Sequence, residues 1–313
     1  MVLSKSVAAS QGSRIEGKTL AVLILSLLFW ASAFAGIRAG LEAYQPGALA
    51  LLRYLVASLA FAIYGLLTRM PLPLRRDWPI MGLLGLLGVA TYHVALSYGQ
   101  LTVTAGSASL LIGSAPMFTA VLAVLTLGER LTRWGWLGIS ISFSGIVLIA
   151  FGEGDGFQFE RGAILVLMAA ICASLYMVIQ KPYLRRYSPL QMTAYAAWAG
   201  TALMMVFLPD VVRTLPTAPL SATLPIVYLG LCPTAIAYTG WSMVLSRVPA
   251  SVTASFLYVS PPLAIVIAWL WLGEIPSLLA LMGGILALLG VVVVNWRGRQ
   301  PAPSAAIEAD LEL

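Results

Sequence analysis

Long apolar runs separated by short polar connections dominate the pattern of the chain. A helix needs about 20 mostly apolar residues, each rising about 1.5 Å, to cross the hydrocarbon core of a bilayer. Ten runs reach this length, and they lack the alternation of membrane β-strands, so helices are predicted rather than a barrel. The predicted spans cover residues 18–37, 46–68, 78–98, 102–126, 134–151, 161–180, 190–208, 222–244, 249–272 and 276–296. The pattern therefore predicts an all-α integral membrane protein with ten transmembrane helices.

The basic residues indicate which way these helices run. With the N terminus inside, fourteen Lys and Arg residues fall in segments on the inner side and three in segments on the outer side. An excess of Lys and Arg is typical of cytoplasmic loops in membrane proteins. We therefore expect both termini in the cytoplasm. Residues 1–17 are predicted to form a cytoplasmic N-terminal segment, and the polar, acidic residues 298–313 a disordered tail.

Two stretches of the chain repeat one pattern. Pro116 to Glu129 reads PMFTAVLAVLTLGE, and Pro261 to Glu274 reads PPLAIVIAWLWLGE. The match continues upstream at the same offset, so residues 18–151 and 161–297 are predicted to be two copies of one five-helix unit. Because five is odd, the second copy enters the membrane from the opposite side. Inverted repeats of this kind exchange conformations around a midplane site, which favours a transporter with a central cavity.

Composition narrows the classes of function. The chain is 60% hydrophobic and 10% charged, whereas soluble domains are about 25% charged, so most of its exterior must face lipid. The expected location is the plasma membrane, which is the inner membrane if the protein is bacterial. The net charge of +6 comes from short clusters between apolar runs, so nucleic-acid binding is not expected. With one histidine and two cysteines in apolar segments, no cofactor, metal or disulfide is expected.

These residues give the chain a resemblance to a known family. Its motifs are Trp30-Ala31-Ser32-Ala33-Phe34, Arg53 in the second span, and the paired Pro…Gly-Glu segments. From about Lys18 to Arg297 the chain resembles the drug/metabolite transporter superfamily, within it the EamA-type exporters, and most of all the bacterial amino acid exporters of the YddG type. The resemblance implies a secondary transporter with ten helices around a central cavity, which exports amino acids or other metabolites.

Polar and aromatic side chains within the spans are candidates for the solute site, because polar groups in a bilayer are costly and tend to face a cavity or a partner helix. His93 is the single histidine, and the repeat maps it onto Tyr238. Trp30, Phe34 and Arg38 recur every four residues on one helix face. The predicted substrate-binding residues are Trp30, Phe34, His93, Ser97, Ser109, Tyr176, Tyr238, Trp241 and Tyr258. Helix packing and interhelical hydrogen bonding are the alternative roles for these side chains.

A charged residue inside a predicted span is a separate candidate. Arg53 lies about two turns into the second span, where an unpaired arginine costs roughly 2.5–3.5 kcal/mol on the insertion scale. Its partner is a helix C-terminal carbonyl, Glu42 or a substrate carboxylate. Arg53 is therefore predicted to have either a structural role or a role in binding the charge of the substrate.

Hinges and gates are predicted at the repeated motif. Pro116 and Pro261 interrupt the hydrogen bonding of apolar helices and are natural hinges. Glu129 and Glu274 fall at helix C-termini, where the helix dipole disfavours a negative charge. Each is expected to have a local partner, such as Arg130 or a backbone N–H, at an opening or a gate.

The favoured function is a secondary transporter that exports small metabolites by alternating access, with aromatic or other neutral amino acids as first candidates. The expected partners are a small-molecule solute and the lipid bilayer, and the oligomeric state stays open, with a monomer as the simplest case. A drug carrier is an alternative, as is a carrier of nucleotide-sugars or sugar phosphates, although these anions demand several cavity Lys or Arg residues.

Rival classes have less support. An intramembrane serine hydrolase is suggested only by Ser107, Ser109 and His93, whose spacing does not support a nucleophile and its base. A channel would need rings of like groups along a pore. We therefore expect no enzymatic activity. No Asp or Glu falls at a helix centre, so uniport or weakly coupled export is expected, with His93 as the only candidate for a proton relay.

Overall fold

The computed structural model describes residues 16–127, 131–152, 160–245, 247 and 256–297. These residues form helices and connecting turns, and no β-strand occurs among them. We number the helical stretches in chain order. They are α1 (Gly17–Leu41), α2 (Pro46–Leu67), α3 (Arg75–Gly99), α4 (Ala105–Ile112 and Ala115–Leu127), α5 (Arg133–Gly152), α6 (Arg161–Arg185), α7 (Pro189–Thr214), α8 (Leu220–Leu229, Gly230–Ile236 and Ala237–Leu245), α9 (Phe256–Leu272) and α10 (Leu278–Arg297).

The lengths of these helices suit a bilayer. Among the described residues, α1 to α8 are long and apolar enough to cross a membrane, and α9 and α10 contain shorter apolar helices. Large apolar side chains cover the exterior, for example Leu67, which is 81% exposed, and Leu125, which is 74% exposed. A water-soluble protein of this size would not expose so many, because large contiguous apolar patches promote association. The prediction of an all-helical integral membrane fold is therefore confirmed as far as the class of fold is concerned.

Local sequence signals fix many helix ends. Pro46 and Pro189 occupy the first turns of α2 and α7, where the missing N–H costs no hydrogen bond. Ser188 and Gln191 form a capping box at the start of α7, each side chain bonding the other residue's backbone N–H. Gly273 ends α9 in the left-handed conformation, with φ of 71°, which a glycine adopts without a steric penalty.

Two helices contain a π-helical segment at matching places. In α3 it covers Leu86–Thr91, and in α8 it covers Gly230–Ile236. Each segment ends directly before the turn that carries one member of the pair His93 and Tyr238. π-Helical turns are rare and occur frequently at functional sites. The spacing of apolar residues predicts continuous α-helices at both places, so the π-helical segments differ from the prediction.

The prolines of the repeated motif lie just after breaks rather than in mid-helix. In α4 the helix is interrupted after Ile112, and Pro116 is the second residue of the following stretch, Ala115–Leu127. In α9 a 3₁₀ turn, Phe256–Val259, precedes the α-helical part, and Pro261 lies in the first turn of that part. A proline in a first turn removes no helical hydrogen bond. The breaks themselves are therefore the places where α4 and α9 could bend.

Small residues let α5 and α10 pack backbone to backbone. A Cβ added to Gly138 would lie 2.7 Å from the carbonyl oxygen of Gly290, and one added to Gly283 would lie 2.6 Å from that of Gly145. The contacts run from Gly138 with Gly290 at one end to Gly152 with Ala280 at the other, so the two helices are antiparallel. Stripes of small residues drive helix association in membranes in this way.

Candidate functional site

A cluster of polar and aromatic side chains from four helices lies inside the helix bundle. We call it the central cluster, and Arg53 is its one cationic side chain. Tyr54 lies within electrostatic range of Arg53 and of three other tyrosines, and His93 lies within range of Arg53. The members are Arg53 and Tyr54 of α2, Tyr92 and His93 of α3, Tyr176 of α6, and Thr234 and Tyr238 of α8.

The guanidinium of Arg53 is buried without a carboxylate partner. The residue is 5% exposed, and its Nε donates a hydrogen bond to Oγ1 of Thr234 at 3.1 Å. No Asp or Glu forms an ion pair with it among the described residues. Glu42, one of the expected partners, is exposed and forms no ion pair with Arg53. Within the part of the chain that the structure describes, the two Nη nitrogens donate to no protein group.

His93 is held by a tyrosine and keeps one nitrogen without a partner. The hydroxyl of Tyr54 lies 2.6 Å from Nε2 of His93, and the two ring centroids are 4.7 Å apart. Tyr92 packs edge-on against the imidazole with a centroid distance of 4.5 Å. Nδ1 of His93 is buried and has no hydrogen-bond partner among the described residues. Since buried polar atoms are nearly always paired, Nδ1 is a second group in the cluster that a bound molecule could satisfy.

Aromatic rings from α1 and α8 border the central cluster. Trp30 packs against Tyr238 at a centroid distance of 5.2 Å and against Trp241 at 4.9 Å. Its indole Nε1 donates to the carbonyl oxygen of Pro233 at 3.0 Å. That carbonyl belongs to the π-helical segment of α8, so the altered backbone of the segment and the position of Trp30 depend on each other.

The other predicted binding residues are distributed around the bundle. Phe34 and Ser97 are buried. The ring of Tyr176 lies against Gly88, where a Cβ would overlap it. Ser109 is buried, and its hydroxyl donates to the carbonyl oxygen of Gly106 at 2.6 Å. Tyr258 is half-buried and packs on the main apolar core. The structure thus brings Trp30, His93, Tyr176, Tyr238 and Trp241 together, while no contact between Ser109 and the central cluster occurs among the described residues.

A second polar group closes one end of the bundle, and we call it the Glu274 cluster. Glu274 accepts a hydrogen bond from Nε of Arg38 at 2.7 Å and one from the backbone N–H of Ala105 at 3.0 Å. Arg38 also donates from Nη1 to the carbonyl oxygen of Gln100 at 2.7 Å. The buried amide of Gln100 donates to the carbonyl oxygen of Phe34 at 3.0 Å. The cluster therefore ties the ends of α1, α3 and α9 to the first turn of α4.

The partner of Glu274 differs in part from the expectation. A backbone N–H was one of the predicted partners, and Ala105 supplies it at the start of α4. The ionic partner is Arg38, which is 236 residues away in the chain, so no local spacing indicated it. Glu129 and Arg130 lie outside the described residues.

The two halves of the chain make matching helix contacts but carry different chemistry there. A Cβ on Gly230 would lie 2.6 Å from the carbonyl oxygen of Arg53, and one on Gly85 would lie 2.9 Å from that of Ala196. Arg53 on α2 and Ala196 on α7 therefore occupy corresponding positions. The positive charge at this pair of corresponding positions therefore comes from one half only, from Arg53.

Five side chains of the two clusters were not predicted as site residues. They are Tyr54, Tyr92 and Thr234 of the central cluster, and Arg38 and Gln100 of the Glu274 cluster. The signal for Tyr54 was its place beside Arg53, and the signal for Thr234 was its place after Pro233 in the second π-helical segment. No group of three or more His, Cys, Asp or Glu side chains that could hold a metal ion occurs among the described residues.

Comparison with known proteins gives the same picture of the fold. The chain is 47% identical over 277 residues to the uncharacterized transporter YdfC of Bacillus subtilis (strain 168), which covers 88% of this chain and 90% of the relative. It is 41% identical over 280 residues to a probable terminal-alkyne amino-acid exporter of Streptantibioticus cattleyicolor, which covers 90% of this chain and 94% of the relative. A known crystal structure, 21% identical, shares the fold with a TM-score of 0.60 over 89% of this chain and 96% of its own.

A family model describes nearly the whole chain. The model of the EamA-like transporter family matches residues 17–151 and, a second time, residues 160–296. The predicted resemblance to EamA-type exporters is therefore confirmed, as are the predictions of a transmembrane transport protein and of its place in the membrane. With two matches that together cover most of its length, and with relatives named as transporters, this chain belongs to the EamA-like transporter family.

Proposed function

We propose that this transporter exports neutral amino acids, aromatic ones among them, by alternating access across the plasma membrane. The observation that carries the proposal is the central cluster, in which one buried guanidinium without a carboxylate partner lies beside tyrosine and tryptophan rings. The guanidinium suits the α-carboxylate of an amino acid, and the aromatic rings suit its apolar side chain. The relative that is 41% identical and is named as a probable amino-acid exporter supports the same class of solute and the direction of transport.

The proposal includes ten membrane-spanning helices in two inverted halves around a central cavity. The antiparallel packing of α5 on α10 supports this architecture, because these two helices end the two halves. The reciprocal contacts of Arg53 with Gly230 and of Ala196 with Gly85 support it as well. The distribution of basic residues supports cytoplasmic termini. In inverted repeats, the two halves exchange conformations and so expose a midplane site to each side in turn.

The Glu274 cluster fits the role of a gate in such a cycle. If both termini are cytoplasmic, α1 runs from the inner to the outer side of the membrane, and Arg38 near its C-terminal end lies at the outer side. Opening a path from the central cluster to that side requires α1 and α4 to separate, which breaks the bonds of Glu274 to Arg38 and Ala105. The π-helical segments of α3 and α8 and the breaks in α4 and α9 are places where helices could bend. Pro116 and Pro261 directly follow the breaks.

The same geometry favours a carrier of neutral solutes over the rival classes. A sugar phosphate carries two negative charges and needs several Lys or Arg side chains, whereas the central cluster contains Arg53 alone. A serine hydrolase needs a serine bonded to the histidine, but Nε2 of His93 is bonded to Tyr54, and the hydroxyl of Ser109 is bonded to Gly106.

A counterflow panel in proteoliposomes tests this function. Vesicles that contain the purified protein are loaded with one unlabelled amino acid at a time, and uptake of the same labelled amino acid is measured. We expect saturable counterflow for at least one aromatic or other neutral amino acid and none for lysine or glutamate. If no amino acid is exchanged, the amino acid proposal fails, while membership of the transporter family stands.

A further inference from the structure

We infer that the central cluster recognises its solute by the carboxylate and offers an ammonium group no charged partner among the described residues. The inference rests on the proposed function and names the chemical class of solute more narrowly. The site should accept monocarboxylates with an apolar or aromatic body, whether or not they carry an amine. It should reject amines and amides that lack the carboxylate.

Arg53 has hydrogen-bonding capacity that the protein does not use among the described residues. A guanidinium has five N–H donors in a planar fork, and no acceptor. Among the described residues only Nε of Arg53 donates a hydrogen bond, to Thr234 at 3.1 Å, and the guanidinium carbon lies 5.8 Å from the ring centroid of Tyr54. The remaining donors, on the two Nη nitrogens, meet no acceptor among the described residues, although the residue is 5% exposed. A buried cation with unused forked donors fits a carboxylate, which can accept two parallel hydrogen bonds.

The imidazole of His93 is a second polar group of the central cluster, in which Arg53 also lies. If the Tyr54 hydroxyl donates to Nε2, the neutral imidazole carries its hydrogen on Nδ1. Nδ1 is buried without a partner within the described part of the chain, so this N–H would be free for an acceptor. An anion bound by Arg53 would provide such an acceptor. In that tautomer, Nδ1 of His93 and the Nη groups of Arg53 are both donors, and both suit an anion.

An ammonium group would need an acidic side chain as its charged partner. The sequence contains twelve Asp and Glu residues, and each lies near the end of a predicted span, in a connection or in a terminal segment. Glu274 is bonded to Arg38 and Ala105, and Asp77 is bonded to Arg186 and Tyr187. An ammonium at the central cluster would meet tyrosine hydroxyls and aromatic rings, which contribute less than a paired carboxylate. The carboxylate of the solute should therefore determine binding far more than its amine.

Three matched compounds test the inference on the purified full-length protein. They are L-phenylalanine, 3-phenylpropanoate, which lacks the amine, and L-phenylalaninamide, which lacks the carboxylate. Binding is measured as the ligand-dependent rise of the melting temperature. We expect 3-phenylpropanoate to bind more tightly than phenylalaninamide and within about thirtyfold of phenylalanine, since a desolvated cation–π contact contributes about 2 kcal/mol. Phenylalaninamide should bind at least about tenfold more weakly, because hydrogen bonds to charged groups contribute about 1.5–3 kcal/mol.

Variants assign the effect to Arg53. Arg53→Gln should remove the preference for the acids over the amide, and Arg53→Lys should retain part of it, since it keeps the charge but not the fork. The matched control is Arg213→Gln, which removes an exposed arginine of α7 and should leave all three affinities unchanged. If Arg53→Gln does not fold, the comparison of the three compounds on the unaltered protein and on Arg53→Lys still tests whether the carboxylate determines binding.

Three outcomes of the binding assay overturn the inference. They are equal binding of phenylalaninamide and phenylalanine, binding of 3-phenylpropanoate that is no tighter than that of phenylalaninamide, and binding of none of the three compounds. Counterflow of labelled phenylalanine in the same preparation separates this inference from the proposed function. Binding of the two acids without counterflow leaves the carboxylate site standing and removes amino acid transport. Equal counterflow of phenylalanine and phenylalaninamide leaves transport standing and removes the carboxylate site.

Discussion

Replacing Glu274 with glutamine should loosen one end of the helix bundle by a predictable amount. Glu274 bonds Arg38 at 2.7 Å and the N–H of Ala105 at 3.0 Å, and the side chains of Arg38 and Glu274 are 29% and 18% exposed. Fully exposed ion pairs contribute about 0.2–1 kcal/mol, and hydrogen bonds to charged groups contribute about 1.5–3 kcal/mol. Glutamine keeps an acceptor oxygen but loses the charge. We therefore expect the closed arrangement to lose about 1–2 kcal/mol, or about five- to thirtyfold in the ratio of closed to open forms.

Hydrogen–deuterium exchange of the purified protein measures this change directly. Peptides covering Ala105–Ile112 should exchange about five- to thirtyfold faster in Glu274→Gln, provided that exchange is limited by the population of open forms. The turn Lys181–Arg185, which is not part of the Glu274 cluster, should not become faster. The control is Glu42→Gln, because Glu42 is exposed next to the C-terminal end of α1 and forms none of the ion pairs of the described residues.

A double-mutant cycle distinguishes loosening of the Glu274 cluster from a general loss of stability. Arg38→Gln should give a similar increase, and the combined variant should exchange more slowly than the product of the two single effects predicts. The ion pair between Arg38 and Glu274 is lost in both variants, whereas the bonds to Gln100 and Ala105 are not shared. Additive effects of the two substitutions, or an increase spread evenly over all helices, would refute the idea that Glu274 holds this end closed.

The remaining predictions concern packing and coupling. Gly145→Ala should lower the free energy of unfolding by about 1–3 kcal/mol, because the added Cβ would overlap the backbone of α10. Gly82→Ala, whose Cβ would meet nothing within 4 Å, should be neutral or slightly stabilising in the same thermal unfolding assay, and equal losses would refute the packing argument. Flux in proteoliposomes should depend little on a pH gradient, because no carboxylate falls at a helix centre. A strong dependence that persists in His93→Gln would contradict this.

The sequence predicted the helices well, because each one needs only a long apolar run between turn residues. Pro46 and Pro189 lie in the first turns of α2 and α7, within one residue of the predicted starts at 46 and 190. The π-helical segments could not be predicted, since they depend on which backbone hydrogen bonds form rather than on the spacing of apolar residues. The glycines and Pro233 near them were visible as residues but not as this particular geometry.

The candidate site was predicted in part, and the limits have a physical reason. Tyr238 and Trp241 lie three residues apart on one side of α8, as helical spacing predicts, and Trp30 packs against both rings. Arg53 was recognised as costly, but its bond to Thr234, 181 residues away, depends on how α2 packs against α8. The bond between Arg38 and Glu274 likewise depends on tertiary packing. Single-sequence patterns describe faces of helices, and they do not specify which faces meet.

Trans-stimulated efflux tests alternating access through the central cluster most directly. A carrier that alternates between two sides turns its empty site back more slowly than a site that has bound substrate on the other side. Proteoliposomes are loaded with a labelled amino acid that is active in the counterflow panel, and its efflux is measured with and without the same unlabelled amino acid outside. We expect the external amino acid to accelerate efflux, and we expect this acceleration to be lost in Arg53→Gln but retained in Arg213→Gln. Efflux that the external amino acid leaves unchanged or slows would contradict alternating access through the central cluster.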